Sequence, residues 1–392
     1  MIIEIRKAGF VNKGAHLMVL AILDKLKERY PSAKFSIVTN GSSQALKEMM
    51  KLGLYPKAYL FRKLSIMLGD LASLIPKKLW SRYGIVMDKE VDVVIDAAGF
   101  AYGDKWGRKS VYELYRSSIR WKRRGVKTIL LPQAFGPFTL LQNQLFLKKA
   151  LKNLDLVYAR EEESYKHIVE ITGESSHLKI APDFTNLISG KIPSYFVPQP
   201  NLFCIVPNYR MIDKTDSDTS AIYLSFMKTC ARYLEARGVN LMILIHEGEK
   251  DLYLGREISR STEKEIPIIQ ETDPIFIKGI LGSCTGTIGS RYHGLVSALS
   301  QGVPSLATGW SHKYEMLLKD YDFDEGLLDV HSDDKQLSEK LDMIIDKQRN
   351  KQLSEKLLKK SEELKKKVEL MWLDVFSIID EHQKIVEGKN VK

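Results

Sequence analysis

Residues 286–304 read GTIGSRYHGLVSALSQGVP. The order is strand end, tight loop, short helix, glycine stop and new strand. It sets Arg291 and His293 at a helix N-terminus, above the carboxyl edge of a parallel sheet. Backbone amides, helix dipole, guanidinium and imidazole would converge there on one point, and an anion is the natural occupant.

Outward from that stretch, strand and helix patterns alternate along most of the chain. Ile2–Arg6, Phe35–Thr39, Val91–Asp96, Thr128–Leu131, Leu156–Ala159 and Leu178–Ala181 read as short buried strands. Ala15–Tyr30, Ser110–Arg124, Leu140–Lys152 and Glu161–Ile171 carry apolar residues at helical spacing between them. A second series runs Leu202–Val206, helix Ala221–Arg237, Asn240–Ile245, Ile266–Ile269, Thr285–Ile288 and Val303–Ala307. Alternation of this kind gives parallel sheets with helices on both faces. Between the series, Lys191–Pro200 holds Pro193, Pro198 and Pro200 and reads as a linker. The expected architecture is α/β: two Rossmann-like, doubly wound domains facing a cleft, over residues 1–190 and 201–332. A charged helical tail, 333–392, is expected to pack partly back on the first domain.

At 392 residues, two domains are the default. Net charge is +10, which admits nucleic acid, acidic lipid or an anionic substrate without choosing. No apolar run is long enough to span a bilayer, and Met1–Arg6 reads as a strand instead of a signal peptide, so a cytoplasmic protein is expected. Cys204, Cys230 and Cys284 lie in apolar runs without a CxxC pair and read as buried free thiols. Neither half opens with GxGxxG, and no GxSxG elbow, Walker loop or HExxH helix occurs. The pair His246-Glu247 lacks further ligands, so no metal site is expected. Basic residues form no recognisable nucleic-acid module. The stretch Tyr55–Tyr83 is both basic and aromatic; it reads as a core helix with a solvated basic face, or as an amphipathic helix on a membrane surface.

Ligands of open α/β sheets bind at strand carboxyl ends, and six loops fall there. Gly9–His16 offers Asn12 to orient a sugar hydroxyl and Lys13 as a cation at a helix start. Asp96–Gly107 offers Tyr102 and Trp106 to stack on a sugar, with Asp96 and Asp104 as candidate bases. Pro132–Phe138 presents Gln133 in a rigid turn. Arg160 follows a buried strand among acids that favour an ion pair. Pro207–Arg210 closes the second domain's first strand. Arg291–Gly294 is followed, after the next strand, by Trp310–Lys313.

Taken in order, these motifs resemble the polysaccharide pyruvyl transferase family. The matching pieces are Asn12–Ala15, Asp92–Gly99, Gln133–Phe138, Ala159–Ser164, Pro182-Asp183, Pro207–Arg210, Arg291–Gly294 with Gly302–Pro304, and Lys313. Ala15-His16 stands where many relatives carry an acid, and Ala97-Ala98-Gly99 replaces a glycine-rich loop. The resemblance implies a GT-B-like fold and transfer of pyruvate from phosphoenolpyruvate onto two hydroxyls of a sugar, as a ketal in a cell-surface or exopolysaccharide glycan. Phosphoenolpyruvate would be a co-substrate, with no other cofactor. The implied donor residues are Arg291, Gly294, Lys313 and either Arg160 or Arg210, with His293 as acid. Asn12, Lys13, Tyr102, Trp106 and Gln133 would face the acceptor, a sugar or lipid-linked oligosaccharide; Asp96, Asp104 and Asp183 are the possible bases. Two other readings stand beside it: a GT-B glycosyltransferase with a nucleotide-sugar donor, and a non-catalytic polysaccharide-assembly protein.

Overall fold

The computed structural model describes residues 1–38, 41–58 and 82–390. Most of the basic aromatic stretch 55–83 therefore lies outside the described residues. The chain divides into two units. Unit 1 holds Met1–Val11, Met18–Phe184 and Lys367–Lys392; unit 2 holds Asn12–Leu17 and Thr185–Lys366. The loop Asn12–Leu17 thus groups with the later part of the chain, although it is early in sequence.

Unit 1 is built on a parallel sheet in the order β3-β2-β1-β4-β6-β7-β8. Its strands are β1 (Ile2–Arg6), β2 (Lys34–Ile37), β3 (Tyr55–Pro56), β4 (Val93–Asp96), β6 (Lys127–Phe135), β7 (Leu156–Ala159) and β8 (Leu178–Ile180). The short β5 (Phe100–Tyr102) pairs in parallel with the far end of β6. β4 and β7 are buried along their whole length, as expected of strands covered on both faces. The covering helices among the described residues are α1 (Lys13–Arg29), α2 (Ser43–Lys51), α3 (Arg108–Arg124), α4 (Leu141–Leu151) and α5 (Glu162–Thr172). Helix α3 buries Val111, Leu114, Ser117, Ser118 and Trp121 at helical spacing, and Gly125 ends it in the left-handed conformation. Strand order reverses between β1 and β4, which makes their carboxyl ends the place where such a sheet receives ligands.

Unit 2 carries five parallel strands in the order β11-β10-β9-β12-β13. They are β9 (Leu202–Val206), β10 (Asn240–Ile245), β11 (Ile268–Gln270), β12 (Gly286–Gly289) and β13 (Ser305–Ala307). Helices α6 (Arg210–Asp213), α7 (Ser217–Ala236), α8 (Gly248–Ser259), α9 (Pro274–Gly282), α10 (Tyr292–Leu299), α11 (Lys313–Asp320) and α12 (Asp334–Ile345) connect and follow them. The order reverses between β9 and β12, so Asn208 and Arg291 stand at the unit's own switch point. Cys204, Cys230 and Cys284 are free and buried.

The tail is one long helix, α13 (Lys347–Asn390). Its later part groups with unit 1, where Asp374 takes a hydrogen bond from the Tyr158 hydroxyl and lies 2.7 Å from Lys179 Nζ. Trp372 is buried there, edge-on to Phe184. Among the described residues no helix is long and apolar enough to cross a membrane.

The segment read as a linker is seated from its start. Lys191 N donates to Ile275 O at 3.1 Å, and the buried Lys278 Nζ donates to Thr185 O at 2.8 Å. A methyl group on Gly279 would overlap the Lys191 carbonyl. Alanine is the better helix former by about 1 kcal/mol, so propensity and packing pull in opposite directions at this position. We expect packing to win: Gly279→Ala should lower stability by roughly 2 kcal/mol or more in urea denaturation, and a stabilised variant would contradict the seated linker.

Candidate functional site

Ser290 anchors the site from below. Its carbonyl accepts from Asn208 Nδ2 at 2.5 Å and from the Tyr314 hydroxyl at 3.0 Å, and its hydroxyl contacts Thr308 and Tyr223. Asn208 in turn accepts from Arg210 N at 2.9 Å. The Pro207–Arg210 turn is thereby fixed to the end of β12, which sets the start of α10.

Arg291 is the N-cap of α10, in extended conformation. Its side chain is buried and turned onto two carboxylates. Nε and Nη2 donate to Asp251 Oδ2 at 2.8 and 2.5 Å, and Nη1 donates to Glu247. Three of the five guanidinium N–H groups are thus spent within the protein. Burial opposes the charge on Arg291, but Asp251 and Glu247 outweigh it and push its pKa up. Burial pushes the Asp251 carboxyl up, against the pull of Arg291.

Glu247 also accepts from Asn12 Nδ2 at 3.1 Å, while Asn12 Oδ1 accepts from Ala15 N at 3.0 Å and caps α1. The Gly9–His16 loop is drawn to the Arg291 cluster by this one asparagine. Its next glycine completes the fit. A methyl group on Gly14 would overlap the His293 imidazole, so the ring occupies the space a side chain would need. Lys13 and His16 are buried beside it.

His246, directly after β10, is buried, and its Nδ1 has no hydrogen-bond partner among the described residues. Burial drives its pKa well below the usual value, and Arg291, His293 and Lys13 add to the effect. The ring is therefore neutral, beside these three groups gathered at one point. Lys313, at the start of α11, sits over Trp310 at 4.5 Å and over Tyr292 and Tyr314 at 5.2 Å each, an aromatic setting that holds its charge near the same helix start. Arg210 stays on the surface, 2.8 Å from Asp213.

Unit 1 holds the remaining residues singled out by sequence. Arg160 and Asp183 form a buried pair, Nη1 to Oδ2 at 3.2 Å, an ion pair with a distant acid rather than with the flanking Glu161–Glu163 that suggested one. Asp96 is fully buried, accepts from the Tyr102 hydroxyl at 2.8 Å and has its pKa raised by burial. Tyr102 stacks on Phe135 inside the core, so its ring has no face to offer a sugar. Asp104 caps α4, accepting from Thr139, Leu140 and Asn143. Trp106 is partly exposed and meets Phe100 edge-on. Gln133 is fully buried, and neither Oε1 nor Nε2 has a partner among the described residues.

Sequence reading set aside His246-Glu247 for want of metal ligands, and no metal-holding cluster occurs among the described residues. The structure gives the pair other work, and adds Asp251 one helical turn after Glu247. The spacing of Glu247 and Asp251, four residues apart at the start of a helix after a strand, was the available signal.

Two Rossmann-like units of this topology make a GT-B-type protein, and solved structures agree. UDP-GlcNAc 2-epimerase from Neisseria meningitidis, bound to UDP-GlcNAc, matches with a TM-score of 0.62 at 8% identity, over 96% of this chain and 99% of that one. Anabaena Alr3699/HepE in complex with UDP and glucose matches with a TM-score of 0.54 at 13% identity, over 100% and 99%. S. aureus MnaA with UDP matches with a TM-score of 0.56 at 10% identity, over 91% and 90%. At such identities the likeness is one of fold. No curated protein matches the sequence. The family model for polysaccharide pyruvyl transferase matches residues 12–312, and the chain belongs to that family.

The Arg291 network makes a stability prediction. Lysine keeps the charge but cannot reproduce a guanidinium bonded to two carboxylates, so Asp251 would be left buried and poorly paired. Arg291→Lys should cost about 3 kcal/mol in chemical denaturation. A loss below about 0.5 kcal/mol, the usual range for surface changes, would mean that the network is not structural.

Proposed function

We propose that the chain transfers pyruvate from phosphoenolpyruvate onto two hydroxyls of a glycan sugar as a ketal. The observation that carries the proposal is the imidazole of His293, seated on Gly14 at the N-terminus of α10 beside Arg291, in a chain of this family. An anionic donor suits that helix start. Lys13, Lys313 and the remaining N–H groups of Arg291 would hold its phosphate and carboxylate, with His246 as a neutral hydrogen-bonding wall. Trp106, exposed on unit 1, is the group we assign to the acceptor. The three buried free thiols fit a reducing compartment such as the cytoplasm.

In the proposed reaction His293 delivers a proton to C3 of the donor, leaving C2 cation-like. One sugar hydroxyl forms a C–O bond to C2; the second forms another as the C2–O bond to phosphate breaks. The two hydroxyl protons end on C3, by way of the imidazole, and on the departing phosphate. The products are ketal and inorganic phosphate. His293→Ala should therefore cut phosphate release from phosphoenolpyruvate, measured with a panel of sugar acceptors, by roughly a hundredfold or more while leaving the fold intact. Near-normal turnover in that variant would remove His293 from the chemistry. Thermal stabilisation by UDP but not by phosphoenolpyruvate would favour a nucleotide-sugar reading instead.

Charge balance adds a pH dependence. Glu247 and Asp251 offset two of the three cations Arg291, Lys13 and Lys313, so the cluster holds a small formal surplus of positive charge before a donor arrives. A multivalent anion then favours protonation of an imidazole. The sign follows: a bound anion favours the charged ring of His246, whose pKa burial holds well below the usual value, so affinity for phosphoenolpyruvate should rise as pH falls below about 6. Calorimetry in buffers of different ionisation enthalpy should register proton uptake on binding; proton release would contradict the proposal.

A further inference from the structure

The outer face of α3 and α4 in unit 1 is unaccounted for by the fold. The two helices run side by side in the same direction. Arg108 at the start of α3 meets Gln142 at the start of α4, Tyr112 meets Phe146 with ring centroids 5.1 Å apart, and Ser118 meets Asn153. Their inner faces fill the core through Val111, Leu114, Trp121, Leu147, Ala150 and Leu151.

The outer face combines two properties that seldom share a surface by chance. It is cationic: from Arg108 to Arg124 the only acid is Glu113, which is held by Arg6 and Lys7, and from Leu140 to Asn153 there is none. Lys109, Arg116 and Arg123 recur every seven residues along the outside of α3, and all three are exposed. It is also apolar at one end. Leu141, Leu145, Lys148 and Lys152 form one outward stripe of α4, with Leu141 78% exposed and Leu145 49% exposed; Leu140, just before the helix, is 45% exposed. A solvated helix face has no use for leucines there, because burying them is worth about 0.8 kcal/mol per methylene elsewhere.

We propose that this face docks on an anionic lipid bilayer, with Leu140, Leu141 and Leu145 entering the interface and the lysines and arginines meeting head-group phosphates. Basic residues and exposed leucines on one face are the requirements for interfacial binding. Nucleic acid would use the charge but leave the leucines in water. A protein partner fits less well, since lysine is depleted from the centre of protein interfaces. The leucine end has a further significance. Helix α4 begins directly after the carboxyl end of β6, the sheet edge that bears Gln133 and Trp106. A bilayer held there would bring a membrane-borne acceptor to the loops that would receive it. Docking itself does not depend on the donor or on the reaction proposed above.

The test is co-sedimentation of the full chain with phosphatidylcholine vesicles, with or without about one third phosphatidylglycerol. The expected result is binding to the anionic vesicles only, weakened by salt. A triple variant, Lys148→Glu, Lys149→Glu and Lys152→Glu, should lose about a hundredfold or more in partition coefficient. A double variant, Leu141→Ser and Leu145→Ser, should lose about tenfold or more at unchanged charge. Unchanged thermal melting would show that both variants fold, since every altered side chain is exposed. No binding by the parent chain, or equal binding by parent and charge-reversed variant, would overturn the proposal. Full binding by the serine variant would also overturn it, because charge alone would then suffice. Phosphate release from phosphoenolpyruvate with a water-soluble acceptor should be the same in parent and variants, so failure of docking is distinguishable from failure of the proposed activity.

Discussion

A guanidinium buried against two carboxylates is costly to assemble. Each ion surrenders its hydration, and the mutual attraction repays that only when the geometry is good and the remaining hydrogen-bonding positions are filled. In unit 2 both conditions hold around Arg291. Asp251 receives two of its N–H groups and the Tyr209 amide, and Glu247 receives a third together with the Asn12 amide. Loss of any one member strands a charge, so the end of β10, the first turn of α8, the cap of α10 and the cap of α1 are coupled. The same coupling fixes the positions of His246, His293 and Lys13 around Arg291. Arg291 thus positions its neighbours through three N–H groups, which leaves two for the donor proposed above.

This distinction explains where sequence reasoning succeeded. Strand-helix alternation is written in local apolar spacing, and it located β7, β9 and β10 to the residue because β7 and β9 are buried throughout and β10 over its last four residues. The helix start at Arg291 was equally legible, since a strand, a loop and an apolar octapeptide before Gly302 leave little choice. β5 escaped notice because three residues paired to the end of a longer strand carry no periodicity of their own. The candidate site was legible as a set of loops but not as a set of contacts. Glu247 and Asp251 look like the acids of any helix start, and only tertiary structure turns them toward Arg291. Asp104 and Tyr102 erred in the opposite sense: a turn aspartate and a loop tyrosine have the right chemistry for a sugar site, yet one caps a helix and the other lies in the core.

The electrostatics of the cluster also bear on how selectivity could arise. Fixed cations bind anions indiscriminately, and a site made only of arginine and lysine would hold phosphate, sulfate and nucleotide alike. Here Glu247 and Asp251 offset two of the three fixed cations Arg291, Lys13 and Lys313, which leaves only a small surplus charge. His246 is held neutral by burial and by its cationic neighbours. A ligand must bring enough negative charge to this point to pay for protonating a ring, which favours a compact trianion over a singly charged species. Under the proposed reaction, proton delivery would then be conditional on the donor, because an anion bound beside a neutral imidazole favours its protonation. A ketal transferase gains from that order of events: an enol phosphate protonated without a hydroxyl in position would be lost to water, whereas an acid that appears only with its donor confines the reactive cation to the occupied site.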